Sequence, residues 1–399
     1  MRNTEPIIIA GAGPVGLSAA CVLSQRGVPV IVLEAEETLP ENLRASTFHP
    51  STLDMLARFG ATERLIEMGL VAPTLQYRDR NGWYVQFDFA QIKDETQHPF
   101  RVQCEQYKLN GVLVDWLRAN APQADVRFGS RVVDVQQDES QVRVTVETAS
   151  GTQEVRGSYL IAADGARSVS REKIGLTLEG FTWPERFLVV TTPFDFGAHF
   201  ENLSSVSYFG DPEQWFFLLR VGKSWRVMLQ SDPSLTEQEM LSDERIQRDL
   251  QRICPSDKPY EVQHKTVYGV HQRISPSYRK GRVFLAGDAA HINNPLGGMG
   301  MNGGIHDGFN LAEKLASVWL GEADDSLLDL YERQRRPVAV EYVDQITIQN
   351  KKDLEISDLA ERAAYRAKME ETARDPEKTR AFLLRTSMIA SLRKAALVE

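Results

Sequence analysis

The chain has 399 residues, 42% of them hydrophobic and 25% charged, with 46 basic and 55 acidic residues giving a net charge of −9. That length carries two or three hydrophobic cores, and the composition is ordinary for a globular chain. The negative balance excludes the basic footprint of a nucleic-acid binder, and no apolar run approaches the ~20 residues that a membrane helix needs.

The first residues, MRNTEPIIIAGAGPVG, are not a secretion signal, because the apolar run leads into a glycine motif rather than a cleavage site. PIIIA at 6–10 is a short β-branched run of the kind buried on both faces of a parallel sheet. GAGPVG follows at 11–16, LSAACVLSQRG is helical with Gly27 placed to end it, and PVIVLE at 29–34 is the next strand, so the segment is one βαβ unit. From 71 to 101 the texture changes, and YRDRNGWYVQFDF alternates around an Asn-Gly turn as an antiparallel hairpin does. YKLNGVLVDWLRAN at 107–120 is helical, with Leu109, Val112, Leu113, Trp116 and Leu117 on its apolar face. A three-stranded meander then leads into the buried strand YLIAADG. Residues 181–270 are rich in aromatics and alternating strands and predict a second sheet, with VGKS as a hairpin tip. VFLAGDAAH returns to the parallel-strand style, and the tail from 327 is charged and helical, with an interruption expected at Pro337. Cys21, Cys104 and Cys254 are far apart with no CxxC, which predicts buried thiols in a reducing cytoplasm and neither disulfides nor zinc. No metal is expected, since the histidines show no ligand spacing.

Gly11, Gly13, Pro14, Val15 and Gly16 lie between a buried strand and a helix. Such a turn brings bare backbone and a helix N-terminus to a pyrophosphate. Glu34 ends the next strand, where an acid binds a ribose 2′-hydroxyl and repels a 2′-phosphate, so this cradle is expected to hold FAD or NAD but not NADP. A second stretch decides between them. In FLAGDAAHINNPLGGMGMNGG, Asp288 follows an apolar strand, and glycines 297, 298 and 300 precede a helix. A carboxylate there accepts hydrogen bonds from a polyol, and a positive helix end stabilises the charge of a reduced flavin ring. An NAD enzyme has no polyol link and no use for this second cradle. The expected ligand is therefore FAD. The expected fold is α/β: a Rossmann-like FAD-binding domain over 1–180 with a β-rich excursion near 71–101, an inserted β-sheet substrate domain over 181–270, and the rest of the FAD domain with a C-terminal helical segment over 271–399.

GDAAH with PLGGMGMNGGIHD, and ADGARSVSR at 163–171, resemble the FAD-dependent aromatic hydroxylases related to para-hydroxybenzoate hydroxylase, over residues 5–340. The resemblance implies that Asp164-Gly165, completed by Arg171, serves FAD and pyridine nucleotide. It matches Arg44 to the arginine near the FAD pyrophosphate and Gln106 to a flavin-contacting glutamine. Arg101 is expected to face the cofactor too. Gly298, Gly300, Met301 and Asn302 fall in the ring-binding stretch, and Pro295 matches a proline whose carbonyl lines the catalytic pocket. The implied chemistry is reduction of FAD by NADPH or NADH, addition of O2 to give a flavin C4a-hydroperoxide, and hydroxylation of an activated ring. Phenols, hydroxybenzoates, aminophenols and hydroxypyridines all suit it. No second GxGxxG is present, so NAD(P)H is expected to visit the flavin without a fold-level site of its own. A homodimer is expected by analogy only.

Three residues are candidates for work on the substrate. In QWFFLLRVG, alternation puts Trp215, Phe217 and Leu219 on one face and Phe216, Leu218 and Arg220 on the other. Arg220 could receive a carboxylate or phenolate; the competing reading is a surface arginine near a hairpin tip. Tyr208 could bond a ring hydroxyl or be a core aromatic. His49 could be a base or a helix-entry residue before Pro50. The tail RAFLLRTSMIASLRKAALVE is amphipathic and fits a packed helix better than a membrane anchor. Other activities remain open on the same fold, namely a reductase, an epoxidase or a flavin-binding sensor without turnover. The halogenase signature Trp-x-Trp-x-Ile-Pro is absent, and a colourless protein would revive an NAD dehydrogenase.

Overall fold

The structure, a computed structural model, describes residues 4–41, 45–211 and 214–399. The strand Ile7–Ala10 runs parallel to Val30–Leu33 on one side and to Tyr159–Ala162 on the other, within a six-stranded sheet. Every residue of Ile7–Ala10 and Tyr159–Ala162 is buried, as unbroken apolar runs require. Ala124–Arg127 and Val283–Leu285 extend this sheet in parallel on its two sides. The helix Pro14–Gln25 ends before Gly27, and the meander forms a separate antiparallel sheet of Arg131–Gln137, Val142–Thr148 and Gly151–Gly157.

The second sheet has eight strands, built around Glu179–Thr192, which pairs with Ser224–Ser231 and His264–Ile274. The hairpin Thr74–Asp79 and Gly82–Asp88 joins it, because Ser207, Tyr208 and Phe209 pair in parallel with Gln76, Tyr77 and Arg78. The 71–101 excursion thus supplies strands to the sheet that 181–270 begins. Leu75, Val85 and Phe87 are buried in the same apolar cluster as Tyr208, Trp215 and Leu219, which is the physical reason for the joining. One face of this sheet carries Trp215, Phe217 and Leu219, and the other carries Phe216 and Leu218, which pack on Ile246 and Leu250 of the helix Asp243–Ile253.

The tail differs from expectation at Pro337. The helix Asp329–Val338 runs through the proline, widens into π-helical turns over Ala339–Gln345 and continues as Ile346–Leu354. Proline removes a donor and crowds the preceding turn; the wider turn keeps the axis running. The helices Leu359–Arg374, Pro376–Thr386 and Ile389–Ala396 then close over the sheet, with Met369, Leu383 and Ile389 in its apolar cluster. No helix among the described residues is long and apolar enough to cross a membrane.

Candidate active site

The first cradle is built by close approach. A Cβ on Gly16 would lie 2.1 Å from the Gly11 carbonyl oxygen, and one on Gly11 would lie 2.4 Å from the Ala163 oxygen. Gly13 differs: nothing lies within 4 Å of its Cβ position. It is the N-cap of Pro14–Gln25, and no side chain caps that end. Open space beside uncapped helix N–H groups fits a pyrophosphate. Pro14 takes the first helical position, where its missing N–H costs nothing. Glu34 accepts hydrogen bonds from the Ala12 N–H (2.8 Å) and the Glu36 N–H (3.1 Å), so its carboxylate is held at the cradle's mouth. Arg44 lies outside the described residues.

These contacts give opposite expectations for two neighbouring glycines. Gly13→Val has a backbone that tolerates a side chain (φ −77°) and space to hold one. It should fold, melt at the temperature of the wild-type apoprotein and purify without the flavin absorbance near 450 nm. Gly16→Ala should be destabilised by overpacking, about 1–3 kcal/mol. A yellow, fully loaded Gly13→Val protein would show that no phosphate lies there.

The second cradle faces the first. Asp288 is exposed on a short 3-10 turn, Gly287–Ala289. Behind it, buried Asp307 accepts from the Gly287 N–H (3.2 Å), His291 Nε2 (2.8 Å) and Arg335 Nε (2.7 Å). His291 therefore packs behind the turn. Arg335 and His291 hold the Asp307 carboxyl down against the burial that opposes ionisation. Asp164 accepts from the Ser168 hydroxyl and the Ser170 N–H, and Arg171 Nη1 donates to the Ala289 oxygen at 3.0 Å, which ties ADGARSVSR to GDAA. The helix Met299–Trp319 starts at Gly298, whose φ of +67° favours glycine, again with no side-chain cap. Two uncapped, glycine-lined helix starts with a carboxylate turn beside them are what a long anionic dinucleotide with a polyol link needs, and the residues fit FAD.

Several of the residues expected at the cofactor shape the two cradles. Val15 is the knob against which Gly287, Gly304 and Gly308 close, so its side chain locks the two helices together. Asn302 is buried and its side chain is occupied: Nδ2 donates to the Thr47 and Gly298 oxygens and Oδ1 accepts the His49 N–H. Met301 packs partly buried on the nucleotide-domain core. Gly300 leaves room for Asn293, whose Oδ1 lies 2.9 Å from the Cβ position. Gln106 opens the helix Gln106–Asn120, with its N–H on the Ala45 oxygen at 3.0 Å and Leu109 and Leu113 buried below.

The substrate candidates separate. Tyr208 stacks between Tyr77 (5.5 Å) and Phe217 (4.6 Å), and its hydroxyl meets the Arg101 guanidinium and the Gly297 backbone. Burial raises the Tyr208 hydroxyl's pKa while Arg101 opposes the rise. Arg101 is 2% exposed, its Nη2 on the Thr386 oxygen (3.4 Å), its Nε without a partner and its guanidinium over the Phe89 ring. Burial pushes Arg101 down, and the ionisable groups that offset this among the described residues are Tyr208 and Tyr77, not carboxylates; Arg101 in turn acts on His49. Arg220 sits where the surface-arginine reading put it, exposed at the hairpin end over Trp225, on the sheet face opposite Tyr208. Of the two readings of His49, the helix-entry residue is the one the structure displays. It is fully buried at the entry to the helix Pro50–Leu56, and its Nε2 reaches the Gly297 (2.9 Å) and Gly298 (3.2 Å) oxygens. Burial first, then Arg101, pushes it well below the ordinary histidine range, so the ring is a neutral clamp on the glycine turn. The Pro295 carbonyl accepts the Gly298 N–H at 3.0 Å, which folds that turn.

Tyr77, Gln272 and Asn350 were not singled out in the sequence. Gly304 and Gly308, four apart on one helix, carried a readable signal for close helix packing.

The fold and its two cradles define a flavin-dependent oxidoreductase. The FAD binding domain family matches residues 4–346, and the chain belongs to the FAD-dependent aromatic hydroxylases that carry it. It is 36% identical to para-nitrophenol 4-monooxygenase of Pseudomonas sp. (strain WBC-3), over 96% of each chain. It is 33% identical to 6-hydroxy-3-succinoylpyridine 3-monooxygenase of Pseudomonas putida (strain DSM 28022 / S16), over 89% of this chain and 90% of that one. The crystal structure of p-nitrophenol 4-monooxygenase from Pseudomonas putida DLL-E4 superposes with a TM-score of 0.91 at 33% identity, covering 98% of this chain and 99% of the other.

Proposed function

We propose that this protein is a single-component monooxygenase that hydroxylates an activated aromatic ring, using NADPH or NADH and O2. The substrate class is a phenol, hydroxybenzoate, aminophenol or hydroxypyridine that binds through an ionisable oxygen. The observation that carries the reading is buried Arg101, which meets the Tyr208 hydroxyl and has no carboxylate acting on it among the described residues; the same hydroxyl meets the Gly297 backbone. A buried cation without a counter-ion is costly, and an anionic ring oxygen supplies one. Arg101 would lower the pKa of a bound phenol, as any cation in contact does, and so enrich the ring in electrons. Tyr208 would orient that oxygen, and Tyr77 and Phe217 would stack beside the ring. His49 and Asn302 hold the glycine turn against which the ring would lie. The C-terminal helices, with Phe382 stacked on Phe87 at 4.2 Å, would shut water out. The chemistry supplied by bound FAD is reduction by NAD(P)H and insertion of one O2 atom into a ring C–H, the other atom leaving as water.

The test is NAD(P)H oxidation against phenol, 4-hydroxybenzoate, 2-aminophenol, 3-hydroxypyridine and 4-nitrophenol, with peroxide measured in parallel. A compound that speeds oxidation without peroxide and gains one oxygen by mass supports the reading. Oxidation that no compound accelerates would shift weight to a reductase or a non-catalytic flavoprotein.

A further inference from the structure

The turn Asn294–Gly298 is gripped from two sides. His49 and Asn302 of the nucleotide domain take the Gly297 and Gly298 carbonyls. The opposite grip comes from the C-terminal helix Ile346–Leu354. Asn350 Nδ2 donates to the Leu296 oxygen at 3.3 Å and stands 3.0 Å from where a Cβ on Gly297 would sit. Three residues earlier on the same helix face, Thr347 Oγ1 accepts from Gln272 Nε2 at 3.0 Å. Gln272 Oε1 accepts both the N–H and the side-chain Nδ2 of Asn294, each at 3.2 Å, and Asn294 Oδ1 accepts the Leu296 N–H at 3.1 Å. Gln272, Asn294 and Thr347 are buried. The π-helical turns contribute carbonyls to the same chain of bonds: Val343 accepts from Thr347 Oγ1 (2.6 Å) and Asp344 from Gln272 Nε2 (3.3 Å).

A buried polar chain is costly unless every member is bonded. None of these four side chains is among the orphaned buried groups. The network ends on the backbone of the turn whose Gly297 meets Tyr208. Thr347 and Asn350 lie beyond residue 346, where the matched FAD-binding domain stops.

We propose that Asn350, working with Gln272, is a positioning residue for the active-site turn. It pulls the Leu296 carbonyl toward the C-terminal helix and so leaves the Gly297–Gly298 backbone facing the ring pocket, touching neither substrate nor cofactor itself. This rests on the monooxygenase reading of the site. A turn that wanders would let the reduced cofactor spend its electrons on O2 alone: NAD(P)H, O2 and a proton give NAD(P)+ and hydrogen peroxide, with no oxygen placed on the ring.

The test compares Asn350→Ala and the isosteric Asn350→Asp, which removes the donor, with wild type as holoenzyme. Both variants should bind FAD within twofold of wild type by fluorescence titration of apoprotein. Both should change the visible circular dichroism of bound FAD. With whichever panel compound the wild type hydroxylates, the peroxide share of NAD(P)H oxidised should rise at least fivefold. Thr347→Val should do the same more weakly. Unchanged dichroism and coupling would overturn the proposal, and so would a loss of FAD affinity in step with melting temperature, which marks a merely structural role. If wild type hydroxylates no panel compound, the monooxygenase reading fails, and the dichroism still decides whether Asn350 sets the turn.

Discussion

Arg101→Met should lower kcat/KM for a phenolate-forming substrate by two to three orders of magnitude while leaving bound FAD at full occupancy. The methionine keeps the length and apolar stem over Phe89, so the loss isolates the charge. Removing one partner of a buried, hydrogen-bonded charge pair costs about 3–5 kcal/mol, and each ~1.4 kcal/mol is tenfold in rate. A ring analogue without an ionisable oxygen should lose far less. Arg101→Lys should recover part of the effect, because a point charge remains but the planar fork is gone. The measurement is kcat/KM for both compounds beside the flavin content. Lost FAD with unchanged KM would return Arg101 to the cofactor, where the family resemblance put it.

Stability should fall steeply as the pH drops below about 6.5. His49 and His306 are both buried and neutral: burial pushes His49 well below its ordinary range and His306 down to about 3. Arg101 lowers His49 further and Arg335 lowers His306, against a smaller pull from Asp307. The sign follows from proton counting. Below pH 6.5 the unfolded chain takes up protons that the folded chain refuses, so stability is complete above that pH and drains away below it. At ~1.36 kcal/mol per pH unit for each group, the pair removes about 4 kcal/mol by pH 5. That is a large share of the ~5–15 kcal/mol that holds a domain folded. Guanidinium midpoints at pH 7.5 and 5.0 check this. His306→Gln, which can still meet Thr52 and Ser51 as His306 does, should retain about half of the wild-type loss. An equal loss in the variant would place the sensitivity elsewhere.

The cradles could be read from the chain because their residues do local work. Gly16 answers to the Gly11 carbonyl a few positions back, Gly11 and Gly298 answer to local turns at φ +101° and +67°, and Glu34 sits one strand away. The alternation in QWFFLLRVG was readable for the same reason, since period two assigns Phe217 and Phe216 to opposite faces whatever the sheet. It could not say which face packs with Tyr208 and Tyr77; the structure puts Arg220 on the other one, at the exposed hairpin end. Arg101 is assigned to the cofactor by the family resemblance alone. Its neighbours in space, Tyr208 and the Thr386 carbonyl, come from 107 and 285 residues further along.

By itself, then, the sequence determined the class of ligand: buried strand, glycine turn and acid are short-range patterns with a fixed physical meaning, and they recur in order. Only the tertiary structure decided the pocket. It buried Arg101 and left Arg220 exposed, seated His49 on the Gly297 and Gly298 carbonyls, and carried a polar chain from Gln272 through Thr347 to the turn at Leu296. Those outcomes depend on desolvation and on hydrogen bonds between distant segments, and no spacing along a chain records either.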